Sequence, residues 1–452
     1  MGAQAKVGSL FGTDGIRGTA NTYPMTTEVA LRVGRAVARL LQADRVVIGQ
    51  DTRLSGDMIT HALVAGLCSE GAEVELLGVL PTPGIAVLTR VRKAAAGIVV
   101  SASHNPYHDN GIKIFGPDGF KLPDATEAAI EAAVVSDRHG DETPSDEDRI
   151  GRVRTETEAE AIYSDFLRTC IPSATGSNGF NIILDCAHGA SYRVAPRVFA
   201  DRGASVEALN VHPDGRNINR DCGSQHLQGL KQAVVRGRAD VGLAFDGDGD
   251  RLIAVDDTGD VISGDRILAI CAGYLHRCGR LRSETVVSTV MSNASLGRSL
   301  RTMGVRHVLT QVGDRHVVEA MRREGAVLGG EDSGHLILAE RHTTGDGLLT
   351  GLLLLDVMRS ESKPLSQLKA VMTPFPQVLL NVPVQSKPRF EDVPRIHEAM
   401  RAAELELGDD GRVLVRYSGT EPLCRVMVEG PTAEKTEHIC RSLAEIVRTS
   451  IG

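Results

Sequence analysis

One pattern recurs three times along this chain of 452 residues: strand, helix, strand, helix, strand. In the first copy RVVIG (45–49), VELLGVL (74–80) and GIVVSAS (97–103) are short apolar runs of strand length. Between them lie a helix over 57–70, stopped at Gly71, and a helix opened by PTPGIAVLTRV with Pro83 in its first turn. The second copy is NIILDC (181–186), a helix over 190–202, VEALN (206–210), a helix over 224–237 and VGLAF (241–245). The third is TVVSTV (285–290), a helix over 294–303, RHVLTQV (306–312), a helix over 314–324 and AVLGG (326–330). Strands alternating with helices imply parallel pairing with helices covering the faces. A further helix over 27–41, capped by Thr26 or Thr27, places Val29, Val33, Val37, Leu40 and Leu41 on one face. The tail is different: VLLNVPV, RVLVRYSGTEPLCRVMVEG and a helix over 432–448. The expected fold is therefore α/β, with three related mixed α/β domains followed by a smaller α+β C-terminal domain. The polar stretch 136–151 reads as a solvated boundary loop.

Composition narrows the class. Apolar residues at 42% and charged residues at 24% suffice for a sizeable core. A net charge of −8 repels polyanions, and 3% aromatics without Trp give no stacking platform, so a nucleic-acid binder is disfavoured. The eight cysteines form neither C-x-x-C nor zinc-finger spacing. The start lacks the apolar core of a signal peptide, and the apolar run around Leu352 to Leu355 is far short of the ~20 residues of a membrane span. A soluble, reduced, cytoplasmic protein with no membrane partner is expected.

Five segments carry candidate chemistry. Asp246-Gly-Asp-Gly-Asp-Arg251 follows the VGLAF strand. Three alternating carboxylates repel one another unless a divalent cation joins them, and oxygen ligands suit Mg²⁺. An EF-hand is excluded, because Arg251 and Asp257 stand where it needs Gly and Glu. Ser101-Ala-Ser-His-Asn-Pro106 lies at the C-terminal end of a parallel strand, where open α/β sheets bind ligands. Its bland reading is a turn, and Lys113, ten residues beyond Ser103, reads locally as a solvated strand lysine. Phe11-Gly-Thr-Asp-Gly-Ile-Arg-Gly18 brings three glycines and Arg17 toward a possible anion, but it is no P-loop. Gly330-Glu-Asp-Ser-Gly-His335 reads by itself as a turn with a surface histidine. Arg416-Tyr-Ser-Gly-Thr-Glu-Pro422 with Arg425 suits either a hairpin or a phosphate clamp.

Together and in this order, the five segments resemble the α-D-phosphohexomutase superfamily. Within it FGTDGIRG, SASHNPYHDNGIKIF, NINRDCGS (217–224), VGDRHV (312–317), TTGDG (343–347) and the Arg416 segment look most like its bacterial phosphoglucosamine mutase branch. Asp332 and Tyr417 depart from the residues common there. The resemblance implies four domains around one cleft: 1–155 with a phosphoserine loop, 156–256 with a metal loop, 257–370 with a sugar loop, and 371–452 with a phosphate loop. It further implies that Ser103 is the phosphorylated residue, and that Mg²⁺ is held by Asp246, Asp248, Asp250 and an oxygen on Ser103. Arg17 and Arg251 would neutralise charge there, with His104 and Lys113 beside the transferring group. Glu331, Ser333 and His335 would contact the sugar, and Arg416, Ser418, Gly419, Thr420 and Arg425 would hold the unreactive phosphate. The implied reaction interconverts glucosamine 6-phosphate and glucosamine 1-phosphate through a 1,6-bisphosphate, toward UDP-N-acetylglucosamine and cell-wall precursors. The implied partner is a small sugar phosphate, on a monomer or homodimer. Alternatives are a mannose- or glucose-specific mutase, a Mg²⁺-dependent phosphatase with an Asp nucleophile, and a sugar-phosphate sensor.

Overall fold

The structure is a computed structural model that describes residues 10–12, 14–136, 149–171, 179–418 and 422–452. The central part of the stretch 136–151 therefore lies outside the described residues. Four separate sheets follow one another along the chain. The first has six strands in the order Ile16–Thr19, Asp109–Phe115, Ala96–Val100, Arg45–Gln50, Glu73–Val79, Val153–Thr155. The strands of the β-α-β-α-β unit pair in parallel, as expected, whereas Asp109–Phe115 and Ile16–Thr19 add on antiparallel. The second sheet has the same character. Asn181–Asp185 pairs in parallel with Ser205–Leu209 and Val241–Phe245, and Leu252–Asp256 and Val261–Ile262 return antiparallel. In the third, Thr285–Thr289 lies between parallel Arg306–Thr310 and Leu328–Gly330, with Leu336–Leu338 antiparallel at the edge. Gln377–Pro383, Leu423–Glu429 and Arg412–Tyr417 form the small antiparallel C-terminal sheet, covered by helices Pro394–Leu407 and Ala433–Ile451. The mixed sheets arise because each unit ends by folding its chain back as a hairpin. That hairpin turns out to hold the chemistry.

The helix predicted over 27–41 is Thr27–Leu40, and the Thr26 hydroxyl accepts from the Val29 amide. Val29, Val33 and Val37 are buried as expected, but Leu40 is 46% exposed. Leu41, the next residue of the stripe, is partly buried against the same core as Val33 and Val37. Helices Asp124–Ser136, Ala159–Cys170 and Pro394–Leu407 escaped the sequence reading, and so did a pair in the third unit, Gly264–Arg277 and Gly347–Glu361. The second contains Leu352 to Leu355, all buried, and packs Gly351 against Phe199 and Leu243 of the second domain. Among the described residues no helix is long and apolar enough to cross a membrane.

One hydrophobic cluster runs continuously from Val47 and Phe115 through Phe199 and Phe245 to Leu328 and Met358. The first three units are thereby joined by shared core. The C-terminal unit keeps its own cluster around Val382, Val426 and Leu443. It is attached by polar contacts: the Glu429 carboxylate accepts from the Ala294 amide at 2.8 Å, and Arg412, paired with Glu429, donates to the Val290 carbonyl at 2.5 Å.

Candidate active site

The Asp246–Arg251 segment is the turn of a hairpin whose strands close at the pair Phe245 and Leu252. Asp246, Asp248 and Asp250 are all buried, and one oxygen of each lies within 4.8 Å of the others. Burial, then Asp250 and Asp248, pushes the Asp246 carboxyl well above the usual carboxylate range. Asp250 goes the other way: burial opposes ionisation, but His335 and Lys113 outweigh it. The Oδ1 atoms of Asp248 and Asp250 are buried and accept no hydrogen bond. Unsatisfied buried carboxylate oxygens are costly, and a hard cation is the ligand that satisfies them. The donor set therefore fits a divalent metal ion.

Ser103 stands just beyond strand Ala96–Val100 and is 1% exposed. Its backbone is left-handed, with φ +52°. The Ser103 hydroxyl donates to Asp246 Oδ2 at 2.5 Å, and His104 Nδ1 lies 3.4 Å from the Ser103 Oγ. The serine is thus joined directly to the carboxylate cluster, 143 positions away in sequence. Arg17 pairs with Asp14 and donates to the Ala102 carbonyl at 3.2 Å. Arg251 lies 3.8 Å from Asp250.

Lys113 corrects the sequence reading. It is 2% exposed rather than solvated. Its Nζ lies 2.9 Å from Asp248, 3.3 Å from Asp14 and 3.7 Å from Asp250. Burial disfavours its charge, yet the three carboxylates raise its pKa and keep it protonated. His335 is also corrected: it is buried, with Nδ1 3.5 Å from Asp250 and Nε2 3.7 Å from Asp314. The loop carrying it is hooked onto the metal hairpin, since the Leu252 amide donates to the Gly334 carbonyl at 3.0 Å. Glu331 accepts from the Gly313 amide at 3.0 Å and from Ser333 at 3.2 Å.

A cavity of about 450 Å³ opens over this cluster and is lined by Arg17, His104, Asp250, Arg251, Glu331 and His335, among others. The first three domains therefore meet at one site. Arg416, Ser418 and Arg425 do not line it. Gly419 and Thr420 lie outside the described residues. Arg416 and Arg425 do sit directly opposite each other on antiparallel strands. Like charges so placed repel, and an anion between them relieves the repulsion.

Asp14, Lys121 and Asp314 were missed as site residues. Lys121 contacts both Asp14 and Asp314, the latter at 2.5 Å, and so ties the first domain to the third. Asp14 and Asp314 lie inside the FGTDGIRG and VGDRHV segments, which was the available signal.

His104 offers a measurable consequence. Burial first, then Arg251 and Arg17, pushes its pKa from 6.5 to about 4. Between those values the unfolded chain binds more protons, so this group's stability contribution is complete above about pH 6.5 and falls as the pH drops toward 4. NMR titration of its ring protons should show a neutral imidazole down to about pH 5. A midpoint above 6 would contradict the packing described.

Matches to known proteins cover the chain in sequence. Residues 8–140, 161–259, 263–375 and 379–446 match, respectively, the phosphoglucomutase/phosphomannomutase alpha/beta/alpha domains I, II and III and the C-terminal domain. The chain belongs to the phosphoglucomutase/phosphomannomutase family. Membership makes it an enzyme of the isomerase class. It is 49% identical over 450 residues to the phosphoglucosamine mutase of Syntrophus aciditrophicus, covering 99% of this chain and all of that one. It is 50% identical to that of Syntrophobacter fumaroxidans over the same length. A crystal structure of a family protein from Burkholderia thailandensis superposes with a TM-score of 0.79 at 25% identity, covering 98% of this chain and 97% of that one. A structure of Aspergillus fumigatus N-acetylphosphoglucosamine mutase, in complex with GlcNAc-6P and magnesium, shares the fold with a TM-score of 0.64 at 18% identity and 98% and 96% coverage.

Proposed function

We propose that the chain is a phosphoglucosamine mutase, which interconverts glucosamine 6-phosphate and glucosamine 1-phosphate through a phosphoserine at Ser103 and a 1,6-bisphosphate intermediate. The observation that carries this reading is the Ser103 hydroxyl 2.5 Å from Asp246, at the edge of the three-carboxylate cluster. Whole-chain identity of about 50% to phosphoglucosamine mutases supports the choice of sugar.

The residues divide the work. Asp246, Asp248 and Asp250 would hold Mg²⁺ together with an oxygen of the phosphorylated Ser103. That ion would offset charge on the transferring group and orient it. Phosphoryl transfer is governed by in-line positioning and charge stabilisation. Arg17 and Arg251 bring two guanidinium groups to the same cavity, and Lys113 adds a fixed positive charge behind the carboxylates. His104, held neutral, is placed to accept the proton of the attacking sugar hydroxyl. Glu331, Ser333 and His335 would fix the sugar through its hydroxyl and amino groups. Arg416, Ser418, Gly419, Thr420 and Arg425 would grip the unreactive phosphate, which requires the C-terminal domain to swing over the cavity. That closure keeps water out while the bisphosphate turns round. The reaction would be cytoplasmic and would feed nucleotide-sugar and cell-wall precursor synthesis.

A panel of glucosamine, mannose and glucose 6-phosphates tests the substrate. Glucosamine 6-phosphate should lead in kcat/KM by about tenfold or more, since a site built to pair an amino group leaves its partners unsatisfied with a hydroxyl analogue. A clear lead for mannose or glucose phosphate overturns the sugar assignment while leaving the mechanism.

A further inference from the structure

The NINRDCGS segment has no part in the chemistry above, yet Asn219 reaches across from the second domain to the serine loop of the first. Its Nδ2 donates to the Ser103 carbonyl at 2.9 Å and to the Asn105 carbonyl at 3.0 Å. Arg53, whose side chain is fully buried, meets the same two oxygens: its Nη2 donates to Ser103 O at 2.9 Å and to Asn105 O at 2.8 Å. Each nitrogen carries two hydrogens and gives one to each carbonyl. Each carbonyl, with two lone pairs, receives one hydrogen from each side. The remaining guanidinium hydrogens go to Pro106 O, Asp109 O and Asp51. Asp51 in turn accepts from Ser101, whose hydroxyl accepts the Ser103 amide at 2.9 Å.

The metal loop closes the box. A Cβ on Gly247 would stand 2.5 Å from Ser103 O and 2.7 Å from Asn219 Nδ2, so only glycine lets that loop touch the clamped carbonyl. These contacts grip the backbone of the serine loop and do not engage the Ser103 hydroxyl, which faces Asp246. They also fix the spacing between two loops carried by different domains. Ser103 needs such support, because its left-handed φ is disfavoured for a residue with a Cβ.

We propose that Arg53 and Asn219 are positioning residues, a two-sided clamp on the Ser103 and Asn105 carbonyls that holds the serine in register with the metal loop while its phosphoryl group comes and goes. This rests on the reading of Ser103 as the phosphoryl carrier. The charge on that serine changes by nearly two at each transfer. A loop held only by its side chain would shift with that charge, whereas one held by its carbonyls keeps the in-line geometry.

Asn219→Gly tests it, because glycine accepts the left-handed backbone at 219 (φ +58°) and removes only the amide. The thermal midpoint should stay within about 3 °C of wild type and KM within about threefold. The kcat, and the rate at which a hexose 1,6-bisphosphate loads phosphate onto Ser103, should fall together by about tenfold to a hundredfold. Arg53→Lys, which keeps the charge beside Asp51 but loses the fork, should show the same split. A folded Asn219→Gly enzyme with kcat within about twofold of wild type overturns the clamp. So does a loss confined to stability, with normal turnover in the folded fraction. If Asn219→Gly fails to fold, Arg53→Lys decides by the same criteria. Ser103→Ala is run beside them. If it retains turnover, the phosphoserine reading has failed and the clamp falls with it. If it is inactive while Asn219→Gly and Arg53→Lys turn over normally, the clamp alone has failed.

Discussion

Replacing Ser103 by Ala should abolish turnover, with kcat lower by at least about 10³-fold, while the protein remains folded and still binds sugar phosphate. The substitution removes the hydrogen bond to Asp246 and the longer contact with His104, and the left-handed backbone is no worse for Ala than for Ser. Its cost to stability should be about 1 kcal/mol. Steady-state kinetics and a thermal scan on the same preparation read both quantities. A phosphatase using Asp246, Asp248 or Asp250 as nucleophile would keep its turnover in this variant. Retained activity would therefore favour that alternative directly.

Replacing Lys113 by Met should be the most destabilising single change at the site. Lys113 is the buried positive charge within 4 Å of Asp14, Asp248 and Asp250. Removing one partner from a buried ion pair leaves uncompensated charge and costs about 3–5 kcal/mol. Urea denaturation of the metal-free protein should show the loss in its first transition. The pH dependence should identify the cause. Against the effect of burial, Lys113 is one of the charges that hold the Asp14 and Asp250 carboxyls low. Without it the folded variant takes up protons more readily than wild type, and its deficit should shrink as the pH falls below 7. A variant as stable as wild type at pH 7 would mean that the ammonium is not the charge balancing this cluster.

The repeated α/β architecture was legible because each strand is a short apolar run bounded by turn residues. NIILDC, VGLAF and TVVSTV all fall on observed strands, within one residue at either end. Helix Gly347–Glu361 was not legible, because it is apolar on every side and sits between two domains. A helix buried all round has no 3.6-residue period to detect. The site followed the same logic. Three aspartates at alternate positions announced their own convergence. Lys113 and His335 did not, since the charges that justify burying them come from Asp14, Asp250 and Asp314, far away in sequence. Local pattern assigns a lone lysine in a strand to solvent, and only the assembled fold supplies its partners. Arg53, and the role of Asn219 within the NINRDCGS segment, were silent for a related reason: what they bind is backbone, which carries no sequence signature.

The central claim is that Ser103 carries the phosphoryl group between the two ends of the sugar. Intact-mass analysis and peptide mapping after incubation with glucosamine 1,6-bisphosphate test it most directly. The account expects a species about 80 Da heavier, mapped to Ser103, that loses its phosphate to added glucosamine 6-phosphate. An unmodified chain, or phosphate found on one of the aspartates instead, would contradict it.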